Sequence, residues 1–153
     1  MLHIGIDPGQ SGGIAYVDSD DMPKAFAMKM PVTERDIWDA LHSHDGLDVR
    51  FFVEKVGPAR GKDGRKQGVS SAFKFGQGYG FLRGCIIADG FDEVAPTKWQ
   101  KEFGLVFPAS MGLTPTDKKN RHKAKAQQLF PHLKITHAIA DALLIAEWAR
   151  RQK

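Results

Sequence analysis

The chain has 153 residues, 42% of them hydrophobic and 26% charged, proportions of an ordinary globular protein that predict a single domain over 1–153 with a core of its own. No apolar run approaches the roughly 20 residues needed to cross a bilayer, and no basic-then-apolar leader opens the chain, so the expectation is a cytoplasmic protein with no membrane partner. One cysteine, Cys85, leaves no internal disulfide, and its setting in "LRGCIIA" reads as a buried structural thiol in a reducing compartment.

Charge is unevenly spread. Residues 1–50 hold nine acids against four Lys and Arg, whereas 51–153 hold nine acids against eighteen. The excess of cations in the second part suggests a polyanionic partner, although a solvated face reads the same way.

In chain order, "LHIGI" alternates like a strand and ends at Asp7, after which "PGQSGG" turns the chain into a hairpin partner, "GGIAYVD". "PKAFAMKM" predicts a third strand. Thr33, with Asp36 three residues on, reads as the N-cap of a helix running to about His44 with Ile37, Trp38 and Leu41 facing inward. "DVRFFVEKV" has consecutive apolar residues, which suits a strand covered on both faces.

A polar, glycine-rich loop follows over 57–69. The next segment, capped by Ser70 or Ser71, predicts a helix despite Gly76, Gly80 and Gly84. Those glycines share one face, where they would admit another backbone closely. "DEVA" is a short fifth strand. "PTKWQKEFG" and the basic "TDKKNRHKAKAQQLFP" are helices, and a last helix spans about 135–151 with Ala138, Ala142, Leu143, Ala146 and Ala149 packed inward. A meander followed by alternating strands and helices predicts an α/β fold, a five-stranded mixed sheet flanked by helices.

Three acids sit where an acid is costly. Asp7 ends the first strand, Glu54 lies inside "FFVEKV", and Asp141 interrupts the alanine-rich "HAIADALLIA". His137 precedes Asp141 by four residues, which on a helix is about 400° of rotation and so nearly the same face. Singly, each has a plain structural reading: Asp7 as a turn former, Glu54 as a strand-end acid paired with a basic neighbour, Asp141 as a hydrogen-bonding group between helices, His137 as an ordinary helix start. Together they make a candidate cluster drawn from the first strand, the fourth strand and the last helix.

"GIDPGQSGGIA", "FVEKV", "FKFGQGYGFLRG", "PTKWQKEFGL" and "HAIADALLIAEWARR" resemble the RuvC-type Holliday junction resolvases in their compact bacteriophage form, most strongly at the two ends of the chain. The resemblance implies an RNase H-like fold and a DNA recombination and repair nuclease of a bacterial or phage-infected cell. Such an enzyme cuts four-way junctions and related branched DNA by paired symmetric nicks, leaving 5′-phosphate and 3′-hydroxyl ends. It implies Asp7, Glu54, Asp141 and His137 as catalytic metal-site residues for two Mg²⁺ ions, with Mn²⁺ as a substitute. Two such ions about 4 Å apart serve in-line phosphodiester displacement by activating water and stabilising the leaving oxygen. Bacterial members place their fourth ligand three residues before the last Asp; here that position is Ala138, and His137 stands one earlier.

Around this site, Lys118, Lys119, Arg121, Lys123 and Lys125 on the basic helix and Arg60, Lys62, Arg65 and Lys66 in the loop form a candidate phosphate-binding surface. The aromatic and glycine-rich segment 73–84 is a candidate self-association face, since a two-fold symmetric junction suits a homodimer. Three rivals are weighed: an actin-like nucleotide-binding protein, whose phosphate loop also follows a first-strand Asp but whose nucleotide lies between two such domains where 153 residues supply one; a non-catalytic junction binder, which gains nothing from clustered acids; and a nuclease of the same fold acting on flaps or RNA–DNA hybrids, which the sequence hardly separates.

Overall fold

The computed structural model describes residues 1–19, 24–44, 46–57 and 68–152. Its elements run in the order β1 (Leu2–Asp7), β2 (Gly13–Asp18), β3 (Ala25–Lys29), α1 (Glu34–His42), β4 (Val49–Glu54), α2 (Val69–Ile86), β5 (Phe91–Val94), α3 (Pro96–Glu102), α4 (Pro115–Leu129) and α5 (His137–Arg151), with a short 3-10 turn at Ala109–Met111. The five strands form one sheet in the order β3-β2-β1-β4-β5. The hairpins β1–β2 and β2–β3 are antiparallel, while β4 and β5 add in parallel beside β1. The expected mixed sheet flanked by helices is therefore the observed architecture.

The period of two along each strand sorts side chains into two cores. Ile4, Ile6, Phe51 and Val53 face a layer containing Leu41 of α1 and Leu82, Cys85 and Ile86 of α2. Phe52 and Val94 face the opposite layer, with Trp99 of α3, Ala126 of α4 and the buried face of α5. Both faces of β4 are thus covered, which explains its run of three consecutive apolar residues.

Helix α5 lies directly on the central strand because Gly5 has no side chain. A Cβ there would collide with the carbonyl of Ala142 and come within 3.0 Å of the Ala146 Cα. The Ala142/Ala146 stripe and Gly5 therefore set how closely helix and sheet approach, and with it where Asp141 hangs over the sheet. This is the most consequential packing contact for the site.

Several local expectations are met and several are corrected. Thr33 caps α1 by accepting from the Asp36 amide at 3.1 Å. Leu41 is buried, but Trp38 is 44% exposed and stacks on His42 with ring centroids 3.8 Å apart. Trp38 lies about 100° around the helix from Ile37, so a nine-residue helix resting on the Ile37/Leu41 stripe turns the indole outward. Helix α2 starts at Val69 after Gly68 with no side-chain cap, not on Ser70 or Ser71. Gly76, Gly80 and Gly84 have nothing within 4 Å of a built Cβ, so among the described residues no backbone packs against them. The buried stripe of α2 is Leu82, Cys85 and Ile86, flanked by half-buried Tyr79, on another side of the helix. Among the described residues, no helix is long and apolar enough to cross a membrane.

Candidate active site

The parallel pairing of β1 with β4 brings Asp7 and Glu54 together. Ile6 is in register with Val53, so the next residue on each strand is an acid, and adjacent strands lie about 4.8 Å apart. Asp7 shares its parity with Gly5, and Glu54 with Phe52, so both carboxylates leave the sheet on the α5 side. Asp141, one residue before the Ala142 that rests on Gly5, reaches the same place from above. Gly12 closes the cluster from the hairpin: a Cβ there would run into the Asp7 carbonyl and lie 2.9 Å from the Asp7 carboxyl carbon.

Electrostatics register the meeting of the three groups. Burial, then the charges of Glu54 and Asp141, push the Asp7 carboxyl up to about 8. Burial and Asp141 push Glu54 up to about 7, against the opposing effects of the Trp99 hydrogen bond and the nearby His122. Lys119 acts on Asp7 in the opposite direction, which places the basic helix α4 beside the acids. Two carboxylates whose ionisation is opposed by burial and by their acidic neighbours form a site that a cation would suit.

The donor chemistry suits a hard divalent ion, since all three acids offer carboxylate oxygens. Among the described residues, no three His, Cys, Asp or Glu side chains are gathered tightly enough to form a ready-made cage. The fit is therefore one of charge and donor type.

His137 and His122 have different surroundings. His137 is exposed at the start of α5, and its Nε2 lies 2.8 Å from Oδ1 of Asn120 on α4. His122 is the residue that meets an acid: its Nδ1 lies 2.8 Å from Oδ1 of Asp141. Sequence reasoning missed His122 because it sits inside "DKKNRHKAK", where charge draws the eye outward. The available signal was the pair His122 and Ala126, four residues apart, which forms the buried stripe of an otherwise polar helix. Trp99 was also missed as a site residue. It is fully buried, and its Nε1 donates to Oε1 of Glu54 at 3.1 Å.

Lys118, Lys119, Arg121 and Lys123 are exposed on α4, and Lys125 is half-buried with its Nζ donating to Gln128 at 3.1 Å. The Arg121 guanidinium lies over the Phe107 ring, 5.1 Å from its centroid. Lys118 and Lys119 stand one turn before His122 and so border the acids. Arg60, Lys62, Arg65 and Lys66 lie outside the described residues.

Neither a scan of protein-family models nor a search of curated proteins returns a match. Among solved structures, the chain is similar to T. thermophilus RuvC in complex with Holliday junction substrate, with a TM-score of 0.57, 15% sequence identity, and coverage of 97% of this chain and 92% of that one. At this identity the likeness speaks to architecture, and together with the strand order it establishes the fold as RNase H-like.

Proposed function

We propose that the chain is a divalent-metal-dependent endonuclease that acts on branched DNA, four-way junctions above all. The observation that carries this reading is the convergence of Asp7, Glu54 and Asp141 from two strand ends and a crossing helix, close enough to raise the titration of Asp7 and Glu54. A binder of DNA alone gains nothing from such a concentration of negative charge facing phosphates. The structural likeness to a protein held on a Holliday junction supports the choice of substrate.

In this reading Asp7, Glu54 and Asp141 would hold the divalent ions, with Asp7 the acid on which both of the others act. Mg²⁺, with Mn²⁺ as a substitute, would supply Lewis-acid stabilisation of the phosphoryl oxygens and a water of lowered pKa. Lys119 and its neighbours on α4 hold the backbone of the strand being cut, with the cations of loop 57–69 as further phosphate contacts. His137, turned toward Asn120 at the exposed start of α5, is positioned to orient or protonate a water at the DNA side.

The test is a gel assay that offers four-way junctions, Y-forks, duplexes and RNA–DNA hybrids in Mg²⁺ or EDTA. Paired symmetric nicks on the junction, present in Mg²⁺ and absent in EDTA, are expected; a preference for hybrids, or no cleavage of any substrate, overturns the assignment. If about six phosphates are contacted, log K for the junction falls with log salt at a slope near −5. Lys118→Glu with Lys119→Glu weakens binding to every DNA and flattens that slope by about two, whereas an unchanged slope removes α4 from the interface.

A homodimer completes the proposal. On α2 and its C-cap, Val69, Phe73, Gly76, Gly80, Gly84 and Ile87 fall within roughly 80° of one another at 100° per residue, on the side away from the core. Val69, Phe73 and Ile87 are 87%, 71% and 67% exposed, and the glycines between them leave room for a second helix to approach. Two copies paired through this stripe would present two sites to a two-fold symmetric junction. Sedimentation should give a dimer for the native chain and a monomer for Phe73→Glu; a native chain that stays monomeric at tens of micromolar concentration contradicts the pairing.

A further inference from the structure

Behind the carboxylates, two buried aromatic donors from two different helices meet each other. Trp99 of α3 donates from Nε1 to Glu54 at 3.1 Å, and His122 of α4 stands with Nδ1 2.8 Å from Asp141. Their rings are in edge-to-face contact, with centroids 5.2 Å apart and planes at 77°. Trp99 is fully buried and His122 is 8% exposed.

We propose that Trp99 and His122 are positioning residues, a joined bracket that fixes Glu54 and Asp141 in the orientation that receives the metal. This rests on the nuclease reading above and adds residues to it.

The physical case has three parts. A carboxylate on a strand end or a helix rotates about its side-chain torsions, and mutual repulsion drives Glu54 and Asp141 apart when both are ionised. One donor on one oxygen of each removes most of that freedom and leaves the group facing the others. The donors themselves are locked: Trp99 by complete burial, His122 by its contact with Trp99 and by its place on the buried stripe with Ala126. A carboxylate oxygen accepts, so in this pair Nδ1 of His122 is the donor. Because the rings touch, a shift of one moves the other, and the two acids are held as one unit. Since no ready-made cage exists among the described residues, the orientation of each acid before the ion arrives governs how much the ion must rearrange.

The experiment is calorimetric titration of the full chain with Mn²⁺, free of DNA, alongside junction cleavage. Trp99→Phe keeps the ring and loses the N–H; His122→Ala loses ring and donor; His122→Asn restores a donor. The two donor losses should each weaken Mn²⁺ binding about tenfold or more, with His122→Asn recovering most of the loss. Because the rings touch, the double variant should lose less than the product of the two single losses. In cleavage kcat should fall at saturating junction with KM unchanged, and junction affinity in EDTA should match the native chain. Variants that are less stable yet bind Mn²⁺ like the native chain overturn the bracket and leave the nuclease intact. A native chain that neither binds Mn²⁺ nor cleaves removes the nuclease reading and the bracket with it.

Discussion

Asp7→Asn is expected to lower junction cleavage in Mg²⁺ by at least about a thousandfold, roughly 4 kcal/mol of transition-state stabilisation, while junction affinity in EDTA stays equal to or above that of the native chain. Asp7 ends the central strand, Glu54 follows the last paired position of the neighbouring strand, and Asp141 acts on Asp7 as well, so under the proposed function an ion at this site would draw on the Asp7 carboxylate first. Asparagine keeps the volume and the shape but offers one neutral oxygen in place of two that share a charge. Hard divalent ions lose affinity steeply when a carboxylate becomes an amide. The same change removes a group that, where it ionises, adds negative charge to a surface that must approach phosphates, so binding without metal does not suffer. Single-turnover cleavage and filter binding on the same preparation separate the two effects. Cleavage at the native rate would place the chemistry somewhere other than these three acids.

How far the sequence alone reaches is clear from particular residues. Asp7, Glu54 and Asp141 stand out because each interrupts a run whose pattern is apolar, and an acid in such a run is costly unless something binds it. The strands were legible for the same reason: β1 alternates, and β4 has the continuous apolar run of a strand covered on both faces. What the sequence could not show is pairing across distance. Trp99 reads as one large apolar residue in the polar "TKWQKE" and His122 as one more base in a basic helix. Their partners lie 45 and 19 residues away, and only the packing of α3 and α4 on the sheet discloses them. Helical spacing placed His137 on the face of Asp141, but as the first residue of α5 it projects past the acids to Asn120. The glycines of α2 share one face as expected, yet among the described residues nothing packs on that face, because periodicity locates a stripe without saying what covers it.

The metal-free protein should become less stable as pH rises from about 5 to 8, and Mg²⁺ should cancel much of that decline. The sign follows from the carboxylates. Asp7 at about 8 and Glu54 at about 7 hold their protons in the fold well above the ordinary values of 3.8 and 4.5 that the unfolded chain restores. Between those limits the folded state binds more protons than the unfolded one, so stability is greatest below about pH 4 and is lost as pH climbs through the folded values. His3 and His44 work in the opposite direction: burial lowers both, so their unfavourable protonation eases as pH rises past the ordinary value. Glu147, lowered by its hydrogen bonds to Arg150 and Arg151, acts only at the acid end. The informative quantity is therefore the difference between the native chain and Asp7→Asn, in which the histidine and Glu147 contributions cancel. In EDTA, Asp7→Asn should gain on the native chain by on the order of 4 kcal/mol between pH 5 and 8, roughly 10 °C in Tm. With Mg²⁺ present, the native chain should recover most of this, because an ion bound to the ionised acids stabilises the fold that holds them. Parallel melting profiles in EDTA would mean that burial and the neighbouring acids do not hold Asp7 protonated, and the electrostatic case for a metal there would fail.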